Sequence, residues 1–392
     1  MNAADLRVLI VSEFYPHPAQ PHAGLFVREQ LLHLHGCQTA AVITPAIGYP
    51  PLPRYRHLRQ AQPAGGVHDE AGRVLLRLRV HHVPVLGERC APLEFLWRAT
   101  AAVKRWRLQF DLIHAHWAYR SGWVASRLAQ QFGRPLVLTA QGSDINLWRH
   151  ERRKRAKLLA ALHAADAILA LNDRMRADIL AEGVAPAKVV VMPQGVDCHA
   201  FQPAGAAARP LRPRQFVPAF VLLCVANHHP VKGVDVLLRA LAQTSRALAL
   251  VLVGAGPETR VLQNLAHALN LEARVWFAGA QPPETIPQWI HSADAVVIPS
   301  RSEGGPAILL QALACGKPVV ATATGMAPAL LTDERIGLLV PVEDEKALAQ
   351  ALERVCRQQW DAKFLRQQVL PFCWEEIGRR LVAVYRHVLR RE

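Results

Sequence analysis

"PSRSEGGPAILLQALACGKPVVAT", residues 299 to 322, passes from the end of one apolar run through an acid, two glycines and a proline into an Ala/Leu-rich segment, then into a second β-branched run. That order reads as strand end, tight loop, helix, turn and strand, the repeating unit of a parallel sheet covered by helices. Pro306 suits the first turn of the helix, where its absent N–H would be unpaired anyway. Gly304 and Gly305 permit unusual backbone angles and expose donors at a helix start that favours negative charge. Glu303 would repel a phosphate set directly on it, so its better role is to accept hydrogen bonds from hydroxyls beside one. Gln311, further along the helix, reaches the same cavity if the helix start points at the ligand. A plain strand-to-helix turn is the competing reading of the same residues.

The alternation extends both ways from this stretch. Upstream lie strand 219–226, helix 233–243, strand 248–254, helix 258–270, strand 273–279 and strand 294–300. Downstream come strand 337–341 and a helix from residue 345. The first half repeats the pattern, with apolar strands at 7–12, 39–45, 73–80, 110–116, 135–140, 166–171 and 188–193. Most are continuously apolar, as parallel strands buried on both faces require. Periodicity disappears over 202–218, "QPAGAAARPLRPRQFVP", which reads as a linker. The expected division is therefore a first Rossmann-like domain at 1–201, the linker at 202–218, a second such domain at 219–370, and an amphipathic C-terminal helix at 371–392. Two open parallel sheets bind ligands beyond the carboxyl ends of their strands, so the chemistry is expected in the turns there, facing a cleft.

Composition sets outer limits. With 51% hydrophobic and 20% charged residues among 392, the chain is globular and long enough for two cores. No apolar run approaches the roughly 18 residues needed to cross a bilayer, and the first residues lack a basic, signal-like lead; a cytosolic location is the default expectation. The seven cysteines show no C-x-x-C pair and read as buried small hydrophobes in a reducing compartment. The net charge of +15 is heaviest in the first half, and its densest block runs from Arg149 to Lys157. A solvated helix face, an anionic membrane surface and nucleic acid all fit that block. No aromatic-rich RNA motif or recognition helix accompanies it, which disfavours nucleic acid.

Residues 299–322 resemble the donor-site signature of the family 4 glycosyltransferases, a retaining, metal-independent group with the two-Rossmann GT-B fold. The same family pattern continues through "FYPHPAQPHAGLFVREQLLHL", "DLIHAHWAYRSGWVA", "VVVMPQGVDCHAFQP", "VANHHPVKGVDVLLRAL", "VLVGAGPE" and "GLLVPVEDEKALAQAL", in order along almost the whole chain. "NHHPVKG" and "LTAQGSD" look most similar to the teichuronic-acid and exopolysaccharide biosynthesis type. The resemblance implies transfer of a sugar from a UDP- or GDP-sugar to a lipid-linked or polysaccharide acceptor, with no cofactor and no metal, at the inner face of the cell membrane.

Carried over position by position, the resemblance implies that Lys232 pairs with the donor pyrophosphate, as a point charge suited to phosphate. Glu303 binds hydroxyls of the transferred sugar, and the backbone of Gly304, Gly305, Pro306 and Ala307 faces the β-phosphate and sugar. Gly24 lets a first-domain loop approach the donor, main chain near Ala278 meets the base, and His116 lines the sugar and acceptor pocket, with His114 structural beside it. Asp144 either meets acceptor hydroxyls or caps the following helix, and Gln141 stands where relatives carry His or Arg. Two departures stand out. Asn227 replaces an Arg, and Gln311 replaces a second Glu that binds ribose hydroxyls, weakening that contact by about 1 kcal/mol. These departures, together with Gln141, motivate a rival, a degenerate non-catalytic subunit of a polysaccharide-assembly complex.

Overall fold

The computed structural model describes residues 6–53, 63, 65–70, 72–81, 87–204, 211, 219–245 and 247–390. The chain forms two compact units, Met1–Gln194 with Trp374–Glu392, and Gly195–Cys373. The boundaries fall at 194/195 and 373/374, where the sequence pattern places them at 201 and 371. Most of the expected linker, residues 205–210 and 212–218, lies outside the described residues.

The first unit holds an eight-stranded sheet in the order β3-β4-β2-β1-β5-β6-β7-β8. Its strands are β1 (Arg7–Ser12), β2 (Gln38–Gly48), β3 (Gly66–Glu70), β4 (Arg73–His81), β5 (Leu112–His116), β6 (Leu136–Thr139), β7 (Ala167–Ala170) and β8 (Val189–Val191). All pairings are parallel except β3 with β4. Strand β1 shows why such strands read as unbroken apolar runs. Leu9 and Val11 pack with helices Gly87–Arg105, Trp123–Phe132 and Arg152–Ala164, while Val8 and Ile10 pack with helix Leu25–Leu32 and the C-terminal helix Trp374–Leu389. In that last helix Trp374, Ile377, Leu381, Val382, Tyr385 and Val388 form one buried stripe at helical spacing, which returns the chain's end to the first unit. Strand β3, "GVHDE", has no apolar signature because it is an exposed strand at the sheet edge, paired antiparallel with β4 and tied to the first unit by the Tyr15–Glu70 hydrogen bond of 2.5 Å.

The second unit holds six parallel strands in the order β11-β10-β9-β12-β13-β14. They are β9 (Phe220–Val225), β10 (Leu248–Val253), β11 (Val275–Gly279), β12 (Ala295–Ile298), β13 (Val319–Thr322) and β14 (Gly337–Val340). The elements read around residues 299–322 occur in the expected order. No helix among the described residues is long and apolar enough to cross a membrane.

The cysteines correct the sequence reading. Cys198 and Cys373 are disulfide-bonded, with Cα atoms 5.6 Å apart, and Cys90 is exposed. They lie 175 residues apart, a separation at which local spacing says nothing. Tertiary pairing of Val196 with Cys373 brings them together.

Candidate functional site

In the second sheet the strand order reverses between β9 and β12, because β10 lies to one side of β9 and β12 to the other. An open parallel sheet presents a ligand crevice at such a reversal, beyond the carboxyl ends of the strands. The two loops leaving those ends carry Lys232 and Glu303. Lys232 Nζ donates to Glu303 Oε1 at 2.7 Å, and Ser300 Oγ donates to the same oxygen at 2.6 Å. Both side chains are largely withdrawn from solvent, Glu303 more than Lys232.

The loops are held together by groups the sequence did not single out. The Arg301 N–H donates to the Val231 carbonyl at 2.8 Å, and the Arg301 guanidinium makes two 2.9 Å bonds to Asp235. Burial alone would raise Asp235, but hydrogen bonds from Arg301 and Arg239 outweigh it and hold the carboxyl below its usual range. Gly233, with φ of 62°, lies so close to the Pro299 carbonyl that a Cβ would come within 2.0 Å of the oxygen. Only glycine satisfies both the angle and the approach. Arg301 and Asp235 are distant in sequence, so no local motif announces their clamp.

Helix Ala307–Ala314 begins directly after this loop, with Pro306 at its cap position and no side-chain hydrogen bond closing its first turn. Gly304 and Gly305 precede it, and Gln311 lies on it, half-buried. Asn227 is exposed on the loop after β9. The Ala278 carbonyl accepts from Gln281 Nε2 at 2.7 Å. Lys232, Glu303, the glycines and the helix start therefore share one end of one sheet.

The first sheet reverses between β1 and β5. His116 ends β5 and is 1% exposed. Burial alone lowers its pKa to about 3, so the imidazole is neutral. Gln141 Nε2 donates to His116 Nδ1 at 2.9 Å, and Gln194 Nε2 donates to Gln141 Oε1 at 3.1 Å. With Nδ1 accepting, the ring proton resides on Nε2, which has no hydrogen-bond partner among the described residues. Gln141, Gln194, Thr139 and Trp374 line a small cavity with it. Gln194, like Arg301 and Asp235, was not singled out from the sequence; it stands inside "MPQGVD", just past β8.

His114 is a satisfied core histidine, paired at 2.7 Å with both the Tyr385 hydroxyl and Thr139 Oγ1. Asp144 has no exposure. Its carboxylate accepts N–H bonds from Ala118, Gln141, Gly142 and Ile145 at 2.8 to 3.1 Å. These bonds tie together the loops after β5 and β6; the cap position of helix Ser143–Asn146 is held by Gly142 with no side-chain cap bond, and the buried Asp144 carboxylate does not face solvent. Gly24 has φ of 69°, and a Cβ there would sit 2.3 Å from the Phe14 carbonyl oxygen.

The basic block is largely committed within the unit. Arg149 pairs with Asp178 at 3.0 Å, Lys154 with Glu151 at 2.9 Å and Arg155 with Glu182, and Lys157 lies over Trp123.

Two doubly wound parallel units, the second with a lysine, a glutamate and a glycine-rich helix start at its switch point, define the GT-B class of glycosyltransferase. Residues 41–200 match the profile of Glycosyltransferase Family 4, and residues 213–368 that of Glycosyl transferases group 1. A D-inositol 3-phosphate glycosyltransferase of Salinispora tropica is 30% identical over 378 residues, covering 88% of this chain and 75% of that protein. Bacillus subtilis TuaC, named for teichuronic acid biosynthesis, is 26% identical over 370 residues, 90% of each chain. Sucrose-phosphate synthase from Thermosynechococcus elongatus superposes with a TM-score of 0.77 at 23% identity, over 99% of this chain and 100% of that one. Anabaena HepE in complex with UDP gives 0.74 at 21%, over 97% and 100%. The chain belongs to the family 4 glycosyltransferases.

Proposed function

We propose that the chain transfers a hexose from a UDP- or GDP-sugar, with retention and without a metal, to a lipid-linked or polysaccharide acceptor in cell-surface glycan assembly. The observation that carries the donor half is the Lys232–Glu303 pair at the β9/β12 reversal, beside the start of helix Ala307–Ala314. In this reading Lys232 and the backbone donors of Gly304 to Ala307 take the pyrophosphate and offset the charge that develops on the leaving group. Glu303 then exchanges Lys232 for sugar hydroxyls, and Gln311 and Asn227 face the nucleotide with less charge than relatives supply. His116 contributes a neutral Nε2–H donor to the sugar or acceptor, oriented by Gln141. Supply of nucleotide sugar places the reaction in the cytosol, and a lipid-linked acceptor places it at the inner membrane face. Arg152 and Arg153 are the cations of the basic block that remain for that surface.

A small phosphorylated acceptor is the second reading. It is favoured by the name of the Salinispora relative and by a cavity of about 190 Å³ in the first unit, whose lining includes Arg77, Arg120 and Lys154 beside the carboxylate of Glu13, which Arg120 meets at 3.4 Å. Calorimetric titration with UDP- and GDP-hexoses, followed by transfer assays on lipid-linked and phosphorylated polyol acceptors, tests both halves. Binding of one donor that Lys232→Ala abolishes is expected. Unchanged binding in that variant removes Lys232 from the site, and the acceptor that turns over decides between the two readings.

A further inference from the structure

Helix Gly87–Arg105 is amphipathic in the wrong sense on its outer side. Ala91, Phe95, Ala99, Ala102 and Val103 fill the core beneath it. The opposite stripe at helical spacing is Cys90, Leu93, Trp97 and Ala101, all exposed, with Leu93 at 57% and Trp97 at 66%. Trp106, just past the helix, is 46% exposed. Exposed polar residues would cost nothing here, so an aliphatic and aromatic row on a solvent face needs a partner.

Charge identifies the partner. Residues 87–107 carry five Lys or Arg against two acids. One acid, Glu94, is held by Arg98 Nε and His81 Nδ1, both at 2.9 Å. The other, Glu88, lies at the start of the helix, away from the cationic end. Lys104, Arg105 and Arg107 are exposed with no acidic partner among the described residues. Arg98 lies 5.5 Å from the Trp97 ring centroid. Arg127 is exposed on the adjoining helix, which a Thr100–Gln131 hydrogen bond of 3.2 Å ties to this one. A second copy of the chain docking isologously would set two positive patches against each other.

We propose that this face seats on an anionic lipid bilayer. Leu93, Trp97 and Trp106 enter the boundary between headgroups and acyl chains, and Lys104, Arg105 and Arg107 meet lipid phosphates. The contact lies on a helix other than the basic block, most of whose cations pair internally. It deepens the membrane part of the proposed function, and its test needs no nucleotide sugar, so failure here is separable from failure of the transferase reading.

The experiment is flotation of the full chain with phosphatidylcholine vesicles, with and without roughly a third phosphatidylglycerol, at low and high salt. Binding to the anionic vesicles alone, weakened by salt, is expected. Leu93→Ser with Trp97→Ser is expected to weaken it roughly tenfold, while circular dichroism shows the same melting because neither side chain is in the core. Arg152→Ala with Arg153→Ala is expected to weaken it less. No flotation of the wild type, or equal flotation of the Leu93/Trp97 variant, overturns the proposal. So does a wild-type dimer in sedimentation that the same variant dissociates, since the occupant is then another copy.

Discussion

Glu303 receives Lys232 and Ser300 on a single carboxylate oxygen, which makes its charge, and not only its shape, testable. Glu303→Gln keeps the volume and an acceptor oxygen for Ser300 but loses the attraction to Lys232 and the charge-assisted bond to any sugar hydroxyl. Transfer rate is expected to fall roughly 100-fold with little change in melting temperature. Steady-state kinetics beside a thermal melt checks this, and near-wild-type turnover would leave Glu303 a structural residue. Lys232, Glu303 and the two glycines were legible because one strand-loop-helix unit holds each signal within a few residues. Gln194 was not legible, since its bond to Gln141 spans 53 residues and follows only from strand order. Arg301 and Asp235 escaped for the same reason, and Asp144 was ambiguous because a cap and a ligand use the same carboxylate. The exposed Trp97 stripe was hidden because outward and inward apolar residues of one helix look alike until the sheet side is known.

At the scale of elements, the loops behind β5 and β6 hang on Asp144, and those behind β9 and β12 on Arg301 and Asp235. Asp144→Ala would leave the N–H groups of Ala118, Gln141, Gly142 and Ile145 without their shared acceptor in a buried place. A loss of about 3 kcal/mol in urea unfolding is expected. A loss below about 0.5 kcal/mol would mean that water replaces the carboxylate there. Asp235→Asn retains one hydrogen bond but not the two-pronged pairing with Arg301. Because both groups are partly exposed, the expected cost is only about 1 kcal/mol, accompanied by weaker donor binding as the two loops loosen. Calorimetry on the folded variant reads that second effect. The expected alternation of strands and helices is matched element by element because parallel strands buried on both faces are mostly apolar, with the few polar side chains, such as His114 and Thr139, paired within the core, whereas the hairpin edge β3 is free of that constraint and left no trace.

At the scale of the whole molecule, the two units respond to different conditions. In the first, His114 and His116 are buried neutral side by side. Burial lowers both, His116 to about 3, and the neighbouring ring adds to the effect on His114. The unfolded chain titrates near 6.5, so it binds more protons than the folded one between those values. Stability is full above about pH 6.5 and is lost as pH falls toward 3, by about 2 kcal/mol at pH 5 from His116 alone. Melting temperature against pH should bend downward below 6.5, and His116→Gln should flatten that bend. In the second unit, Cys198 and Cys373 tie the first turn of the unit to its last residue across 175 positions. Closing so long a loop restricts the unfolded chain by about 5 kcal/mol at most. A cytosolic thiol pool would keep such a pair reduced, so the bond and the proposed location make opposite demands, which alkylation of freshly isolated protein resolves. If the bond is present, reductant should lower the melting temperature of the second unit and leave that of the acid-sensitive first unit unchanged. A shift of both together would show that the disulfide does not act on the second unit alone.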